Sequence, residues 1–426
     1  MLPMWDKLMR YLSKKVSLLG LGLFVIFSAA TISQAADPEL PPLAKMRDAN
    51  KNNRIERSEA AGPLVGNFDT MDCDKSGNLD GKEILGFFQG VDCPTTATSG
   101  QVKKQVGPAR ATNELLFNLY LPRTTSMFTK IVRPWSEAVA KSTHGTIKIK
   151  FSASSLSPIN RQLRMVVTGV ADAGMGIHHF TRRKTVTARV SELPFSARSS
   201  RAASIAAWRT VQKFAKPSEY KGVKLVGLVS PPPTLIFNSK KVIKSIRGFR
   251  SLKLLAVGSL VQPAKLMGSA VVTIPLPFAY EQFSRGVVDG TFSNFGGILE
   301  FRLVKFVKFA TPVPGGVGNT SIFLVINKKK FDGLVAGQRE AIMRISGEKF
   351  GDYSAGWDKN EKAAVIKAKA AGIIEIPLPA KALQDLSIRW SAIEPKWIAD
   401  AAKLGIDGKA AVAFYRRELA KLEGGK

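Results

Sequence analysis

Twelve consecutive residues, Asp72-Cys73-Asp74-Lys75-Ser76-Gly77-Asn78-Leu79-Asp80-Gly81-Lys82-Glu83, place oxygen donors at the spacing a hard cation needs. Asp72, Asp74 and Ser76 stand at positions 1, 3 and 5, Gly77 allows a sharp turn at 6, and Asn78 offers its carbonyl at 7. Asp80 falls at 9, and Glu83 closes the stretch at 12 as a two-oxygen ligand. Ca²⁺ takes six to eight oxygens, and this order of donors winds them around one point.

A second stretch with the same spacing lies just upstream. Asp48, Asn50, Asn52, Arg54 (through its carbonyl), Glu56 and Glu59 occupy positions 1, 3, 5, 7, 9 and 12. Asn53 stands where the glycine would be, and Asn enters the left-handed region more readily than most residues. Lys51, Arg54 and Arg57 oppose the three acids of this stretch, so its site is expected to be the weaker one. The two loops start 24 residues apart and put Ile55 and Leu79 at position 8, where paired EF-hands share a short two-stranded contact. Residues 37–93 therefore read as a small all-α EF-hand pair with Ca²⁺ as its cofactor, binding at about 10⁻⁴–10⁻³ M as extracellular modules do.

The elements around this module set its compartment. Lys7, Arg10, Lys14 and Lys15 precede an apolar run over 16–32, and Ser33 and Ala35 supply small residues at −3 and −1 of a cleavage point. That is a secretory signal over 1–35, with a retained membrane anchor as the other reading, and it predicts a periplasmic protein. Export permits a disulfide. The two cysteines, Cys73 and Cys93, either remain thiols or close a 20-residue loop. Such a bridge would stabilise the module by about 3 kcal/mol.

Charge separates the chain into two parts. Residues 37–93 carry 7 basic and 11 acidic side chains, a net of −4, whereas 94–426 carry 52 and 21, a net of +31. A basic excess attracts anions. Nucleic acid is not the expected partner, because the chain is exported and shows no zinc finger, basic zipper or aromatic RNA-binding motif. Residues 94–107 are rich in Thr, Ser, Gly and Gln and read as a linker. Beyond them, strands are expected at 115–121, 146–153, 171–177, 225–229, 234–238, 252–257, 271–274 and 321–327, with helices at 127–141 and 161–170. Strands separated by helices imply α/β layers with parallel sheets. The last hundred residues are expected to be mostly helical, with Trp357, Trp390 and Trp397 at packing positions. Ligands in such sheets bind beyond the carboxyl ends of the strands. The segments expected to line a cleft are therefore 122–126, 177–179 and 291–294. The run 301–309 is expected to set Arg302, Lys305 and Lys308 on one helix face.

Several blocks in order resemble the solute-binding subunit of TRAP transporters, the DctP family. They are Leu119-Tyr120-Leu121-Pro122 with Ser126, Gly169-Val170-Ala171-Asp172-Ala173-Gly174, Glu192-Leu193-Pro194-Phe195, Pro275-Leu276-Pro277 with Tyr280, Gly286-Val287-Val288-Asp289-Gly290, and Phe323-Leu324-Val325-Ile326-Asn327. The resemblance spans 113–424. It implies a periplasmic-binding-protein-like α/β fold of two domains, 108–234 plus 327–426 and 235–326, closing on a solute. It implies capture of a small solute, an organic acid in most of the family, for the membrane subunits of a TRAP transporter. In that family an arginine grips the carboxylate in two hydrogen bonds. Here Leu255 stands at that position, so Arg161, Arg164, Arg250 and Lys253 are the candidate replacements. His178 and His179 are expected at the cleft edge, with Asn294 and Asn327 as further polar contacts. With His144 as the remaining histidine, they make no metal set.

No nucleophile elbow, zinc signature or phosphate loop is present, so the expected function is recognition and not catalysis. The alternative is a calcium-dependent sensor or docking protein built on the same fold.

Overall fold

The computed structural model describes residues 40, 42–60, 63–89 and 113–424. The chain divides into two compact units, Met1–Ala97 and Thr98–Lys426. The expected signal segment 1–35, the linker 94–107 and Cys93 lie outside the described residues.

In the smaller unit, helices Pro42–Lys45, Pro63–Met71 and Gly81–Gln89 flank two two-residue strands, β1 (Ile55–Glu56) and β2 (Asn78–Leu79). The strands pair antiparallel, with Ile55 opposite Leu79, which is the contact expected of the two position-8 residues. Both side chains are fully buried and pack with Phe68, Met71 and Ile84. Lys51 and Asn53 in one loop, and Lys75 and Gly77 in the other, have positive φ. Asn53 thus takes the glycine's conformation, with φ 61°.

The larger unit holds two sheets. The first comprises β3 (Asn113–Asn118), β4 (Ile147–Phe151), β5 (Ala173–Ile177), β6 (Val223–Val229) and β12 (Ile322–Asn327), in the order β4-β3-β5-β12-β6. The second comprises β7 (Leu235–Asn238), β8 (Lys253–Leu255), β9 (Ala270–Val272), β10 (Gly290–Ser293), β11 (Phe309–Thr311) and β13 (Ile374–Glu375), in the order β13-β11-β7-β10-β8-β9. The six residues of β12 are all buried, as a central strand covered on both faces requires.

The sheets are mixed, where parallel ones are expected from the alternation. β12 runs antiparallel to β5 and β6, and β7 antiparallel to β10 and β11. The reason is connectivity. β7 follows β6 from one sheet into the other, and β12 follows β11 back. Each therefore enters its new sheet from the end at which β5, β8 and β10 finish.

The C-terminal helices also depart from expectation. Each sheet is the centre of one lobe of the larger unit, and helix Lys349–Ala370 begins in the core of the first lobe, built on the first sheet, with Phe350 and Trp357 and ends in that of the second with Ala364 and Ala368. β13 then joins the second sheet, and helix Ala380–Trp390 buries Leu386 and Trp390 in the second lobe. Residues 327–426 are thus shared between lobes. The apolar face of 364–390 finds its partners on the second sheet, a choice that sequence order does not encode. Trp397 packs with helices Ser200–Phe214 and Gly408–Leu422. The run 301–309 is not a helix. Helix Phe295–Glu300 stops there, Arg302 has φ 56°, and Leu303 and Val307 turn inward. Arg302, Lys305 and Lys308 consequently share no helix face.

Gly290 is required by close packing. A Cβ there would overlap the Phe237 carbonyl oxygen of the neighbouring strand and stand 2.8 Å from Leu254 Cδ2. Backbone in mid-sheet has little room to yield, so Gly290→Ala is expected to destabilise the larger unit by about 1–3 kcal/mol. Circular-dichroism melts check this, and an unchanged midpoint would refute it.

Candidate functional site

Two groups of chemistry-bearing residues emerge, one in each unit. In the smaller, carboxylate oxygens of Asp72, Asp74 and Glu83 lie within 4.8 Å of one another. Backbone donors hold them in place. Ser76 N–H donates to Asp72 Oδ1 and Asp74 Oδ1 at 2.9 Å, Gly77 N–H to Asp72 Oδ2 at 2.9 Å, and Cys73 N–H to Glu83 Oε1 at 2.7 Å. Asp80 Oδ1 accepts from Glu83 N–H at 2.8 Å. The 48–59 loop repeats part of this scheme, with Asn53 N–H on Asp48 Oδ2 at 2.9 Å and Ala49 N–H on Glu59 Oε1 at 2.9 Å. There, however, the amides of Asn50 and Asn52 both donate to Glu56 at 2.7 Å. The Arg54 guanidinium reaches away to Asn78 Oδ1 at 3.0 Å, leaving its carbonyl as the donor for position 7. The donor set is all oxygen and the 72–83 carboxylates converge, so the residues fit a hard cation. No described cysteine is a free thiol.

In the larger unit a cleft of about 1080 Å³ of empty space, partly open to solvent, lies where strands of both sheets end. Tyr120 and Leu121 follow β3, Ile177 ends β5, Leu255 ends β8, and Ser293 ends β10 with Asn294 just after it. Phe292, Phe301 and Trp357 add aromatic wall. Segments 122–126, 177–179 and 291–294 all contribute, through Thr125, Ile177 and Phe292 to Asn294. Among the described residues lining the cleft, none is Lys, Arg or His, and Glu300 is the carboxylate.

The candidate residues scatter. Leu255 is buried, facing the cleft and the second lobe's core. Asn294 lines the cleft, but its side chain caps helix Phe295–Glu300 by accepting from Gly297 N–H at 2.7 Å. Asn327 donates to the Val166 carbonyl at 2.7 Å, away from the cleft. Arg161, Arg164, Arg250 and Lys253 are exposed and do not line it. Exposed guanidinium and ammonium groups keep their hydration, which burial in an apolar wall would remove. His178 is fully buried, with Nε2 2.9 Å from the Tyr220 hydroxyl and its ring edge-on to Phe323. Burial pushes its pKa down to about 4, so the imidazole is neutral. His179 is on a different, basic pocket, beside Arg182, Arg183 and Arg189. The chain turns into a short 3-10 helix after Ile177, which carries both rings off the cleft wall. Glu192, of the Glu192-Leu193-Pro194-Phe195 block, accepts from Ser321 Oγ at 2.7 Å and Arg189 Nε at 2.9 Å, tying that block to the start of β12.

Glu300 escaped the sequence reading. Its signal was there: it is the lone acid between Asp289 and Asp332, in an otherwise apolar and basic stretch. Its Oε1 accepts from both the backbone N–H (2.9 Å) and the hydroxyl of Ser126, on the other lobe. Asn360 Nδ2 in turn donates to Ser126 Oγ at 2.8 Å. Burial raises the Glu300 pKa, and the Ser126 bonds partly offset this.

Glu361 lies just behind, accepting from Phe295 N–H at 2.6 Å and Gly296 N–H at 2.8 Å. Burial pushes its pKa up to about 7, and the charges of Glu300 and Asp358 push the same way. A folded pKa above the unfolded value means the folded state binds the proton more tightly. The stability Glu361 contributes therefore grows as pH falls from about 7 towards about 4.5. Buried His178 works in the opposite sense below its unfolded pKa of 6.5. The test is thus a difference. The melting midpoint of the parent relative to Glu361→Gln is expected to rise from pH 7 to pH 5, and a flat difference would contradict it.

Comparisons with known proteins bear on the larger unit. The family described as bacterial extracellular solute-binding protein, family 7 (DctP) matches residues 117–397. The outer membrane transporter protein TsaT of Comamonas testosteroni is 31% identical over 313 residues, 72% of this chain and 92% of that protein. A TRAP periplasmic solute binding protein from Bordetella bronchiseptica, solved with (R)- and (S)-mandelate, is similar with a TM-score of 0.69 and 28% identity, covering 73% of this chain and 99% of that one. A marine metagenome TRAP solute binding protein specific for aromatic acid ligands, solved with 3-hydroxybenzoate, gives a TM-score of 0.68 at 26% identity, covering 73% and 99%.

Proposed function

The chain belongs to family 7 of the bacterial extracellular solute-binding proteins, and from that premise we propose that it captures a small organic solute between its two lobes and delivers it to the membrane subunits of a TRAP-type transporter. The observation that carries this is the apolar cleft walled by the strand ends of both sheets. Such a cleft desolvates a compact apolar body and closes around it. Mandelate and 3-hydroxybenzoate, the ligands of the two similar structures, join a ring to a carboxylate. Compact organic molecules with such an apolar body, those acids among them, are therefore the class to screen. Delivery in the periplasm, after removal of residues 1–35, completes the reading.

The smaller unit is proposed to bind Ca²⁺ through Asp72, Asp74, Ser76, the Asn78 carbonyl, Asp80 and Glu83. Asp48, Asn50, Asn52, the Arg54 carbonyl, Glu56 and Glu59 form the weaker second site. The ion would draw the carboxylates together and rigidify the module, and a Cys73–Cys93 bridge would do the same covalently. The paired loops favour one second reading, a calcium-dependent sensor or docking protein.

A thermal-shift screen of the purified protein against organic acids, alcohols, amines, sugars and amino acids, with calcium and with chelator, tests both. Ligand at 100 times its Kd adds about 2.7 kcal/mol, a rise of several degrees. A rise with one solute class supports capture. No rise with any solute, beside a large one with calcium, overturns capture in favour of the sensor.

A further inference from the structure

The solute's polar end is readable from Glu300, on the footing that the cleft binds a solute at all. The geometry points to an apolar solute carrying a protonated amine, held by the free oxygen of Glu300, with carboxylate anions disfavoured.

Three observations carry this. The first is the wall itself. Leu255 gives the end of β8 an apolar side chain, and among the described residues lining the cleft no cation appears. The candidate replacements Arg161, Arg164, Arg250 and Lys253 all point elsewhere. A carboxylate entering this cleft would lose its hydration without gaining a partner of opposite charge.

The second is how Glu300 is held. Both Ser126 donors converge on Oε1. Asn360 Nδ2 occupies the Ser126 oxygen, so the hydroxyl proton is directed onto Glu300. Oε1 is thereby used, while Oε2 takes no hydrogen bond or ion pair from any described residue and keeps accessible surface on a side chain that lines the cleft. A fixed carboxylate with one oxygen engaged and one presented to an apolar cavity is a receptor for N–H donors.

The third is electrostatic. Glu361, on helix Lys349–Ala370, is near enough to Glu300 for the Glu300 charge to raise its pKa, so this end of the wall is acidic and holds no cation among the described residues. The larger unit's basic excess does not cancel this. The cations are mostly exposed, and beyond about 8 Å they are screened at physiological salt, whereas a group in the cleft meets Glu300 directly. The raised pKa of Glu300 is what an acid lacking a counter-ion shows, and a bound ammonium would relieve it. Position also matters: Ser126 belongs to the first lobe and Glu300 to the second, so a solute on Oε2 sits where the lobes meet.

The test uses three probes of one size: benzylamine, benzyl alcohol and benzoate, titrated calorimetrically into the purified protein at pH 7.5. Benzylamine is expected to bind tightest. Glu300→Gln should weaken it about 10- to 100-fold, the value of a charge-assisted hydrogen bond, while benzoate gains. Benzyl alcohol, which reads the apolar wall, should change far less, and with the melting midpoint it shows that the variant is folded. Ser126→Ala, which frees Oε1, should weaken benzylamine by less than Glu300→Gln. Benzoate binding at least as tightly as benzylamine overturns the inference and leaves solute capture standing. Benzylamine binding that Glu300→Gln leaves unchanged overturns it, as does no binding of benzylamine. Only silence across the broader solute screen removes solute capture as well.

Discussion

Trp135→Ala is expected to lower the stability of the larger unit by about 3–5 kcal/mol, the range for deleting a buried aromatic side chain. Trp135 is 0% exposed, lies 6.2 Å from the Phe117 ring and 5.9 Å from that of Phe350 between centroids, and donates from Nε1 to Ser346 Oγ at 3.0 Å. Those partners come from β3, from helix Lys349–Ala370 and from the turn before it, so one indole joins distant parts of the chain. Alanine leaves a cavity no neighbour can fill and strands a buried hydroxyl. A melting midpoint lowered by roughly 5–10 °C is the expected reading. A fall of a degree or less would mean that the first lobe's core is not organised around this residue.

Glu83→Gln is expected to weaken calcium binding to the 72–83 loop by roughly 100-fold or more, beyond the 10- to 100-fold that outer-shell changes cost. Glu83 occupies position 12, its carboxylate groups with those of Asp72 and Asp74, and both its oxygens are oriented by backbone N–H groups of Cys73 and Asp80. Glutamine keeps the size, removes the charge and offers one carbonyl oxygen where two oxygens served. Calorimetric titration of parent and variant decides it, with Glu59→Gln in the weaker loop as the companion. An unchanged first binding event in Glu83→Gln would remove the metal reading of this loop.

These two residues differ in how they could be found. Glu83 is legible because its partners lie within eleven residues, and a twelve-residue spacing fixes their meeting without help from the rest of the chain. The pairing of Ile55 with Leu79 and the positive φ of Asn53 follow from the same local rule. Eight of the eleven strands in the two sheets were legible for a related reason, their apolar runs and alternation being local, and these differ from expectation only at their ends; β10, β11 and β13 were not, because each is only two to four residues long and is made a strand by its distant partners. His178 shows the limit. Sequence places it after a strand, at what should be the cleft edge, but one further turn of backbone delivers it to the core against Phe323 and Tyr220.

The sequence by itself determined the two-part organisation, the α/β class, the family and the donor spacing of the N-terminal loops, because each is carried by neighbouring residues or by the order of short blocks. Tertiary structure decided what the cleft is made of. Ser126 and Glu300 are 174 residues apart and meet only because β3 and β10 end at the same place. The basic residues near those strand ends turn outward, since water solvates them better than an apolar wall does. Net charge and the family resemblance therefore pointed to an anion, while the packed strand ends set one carboxylate into an apolar cleft.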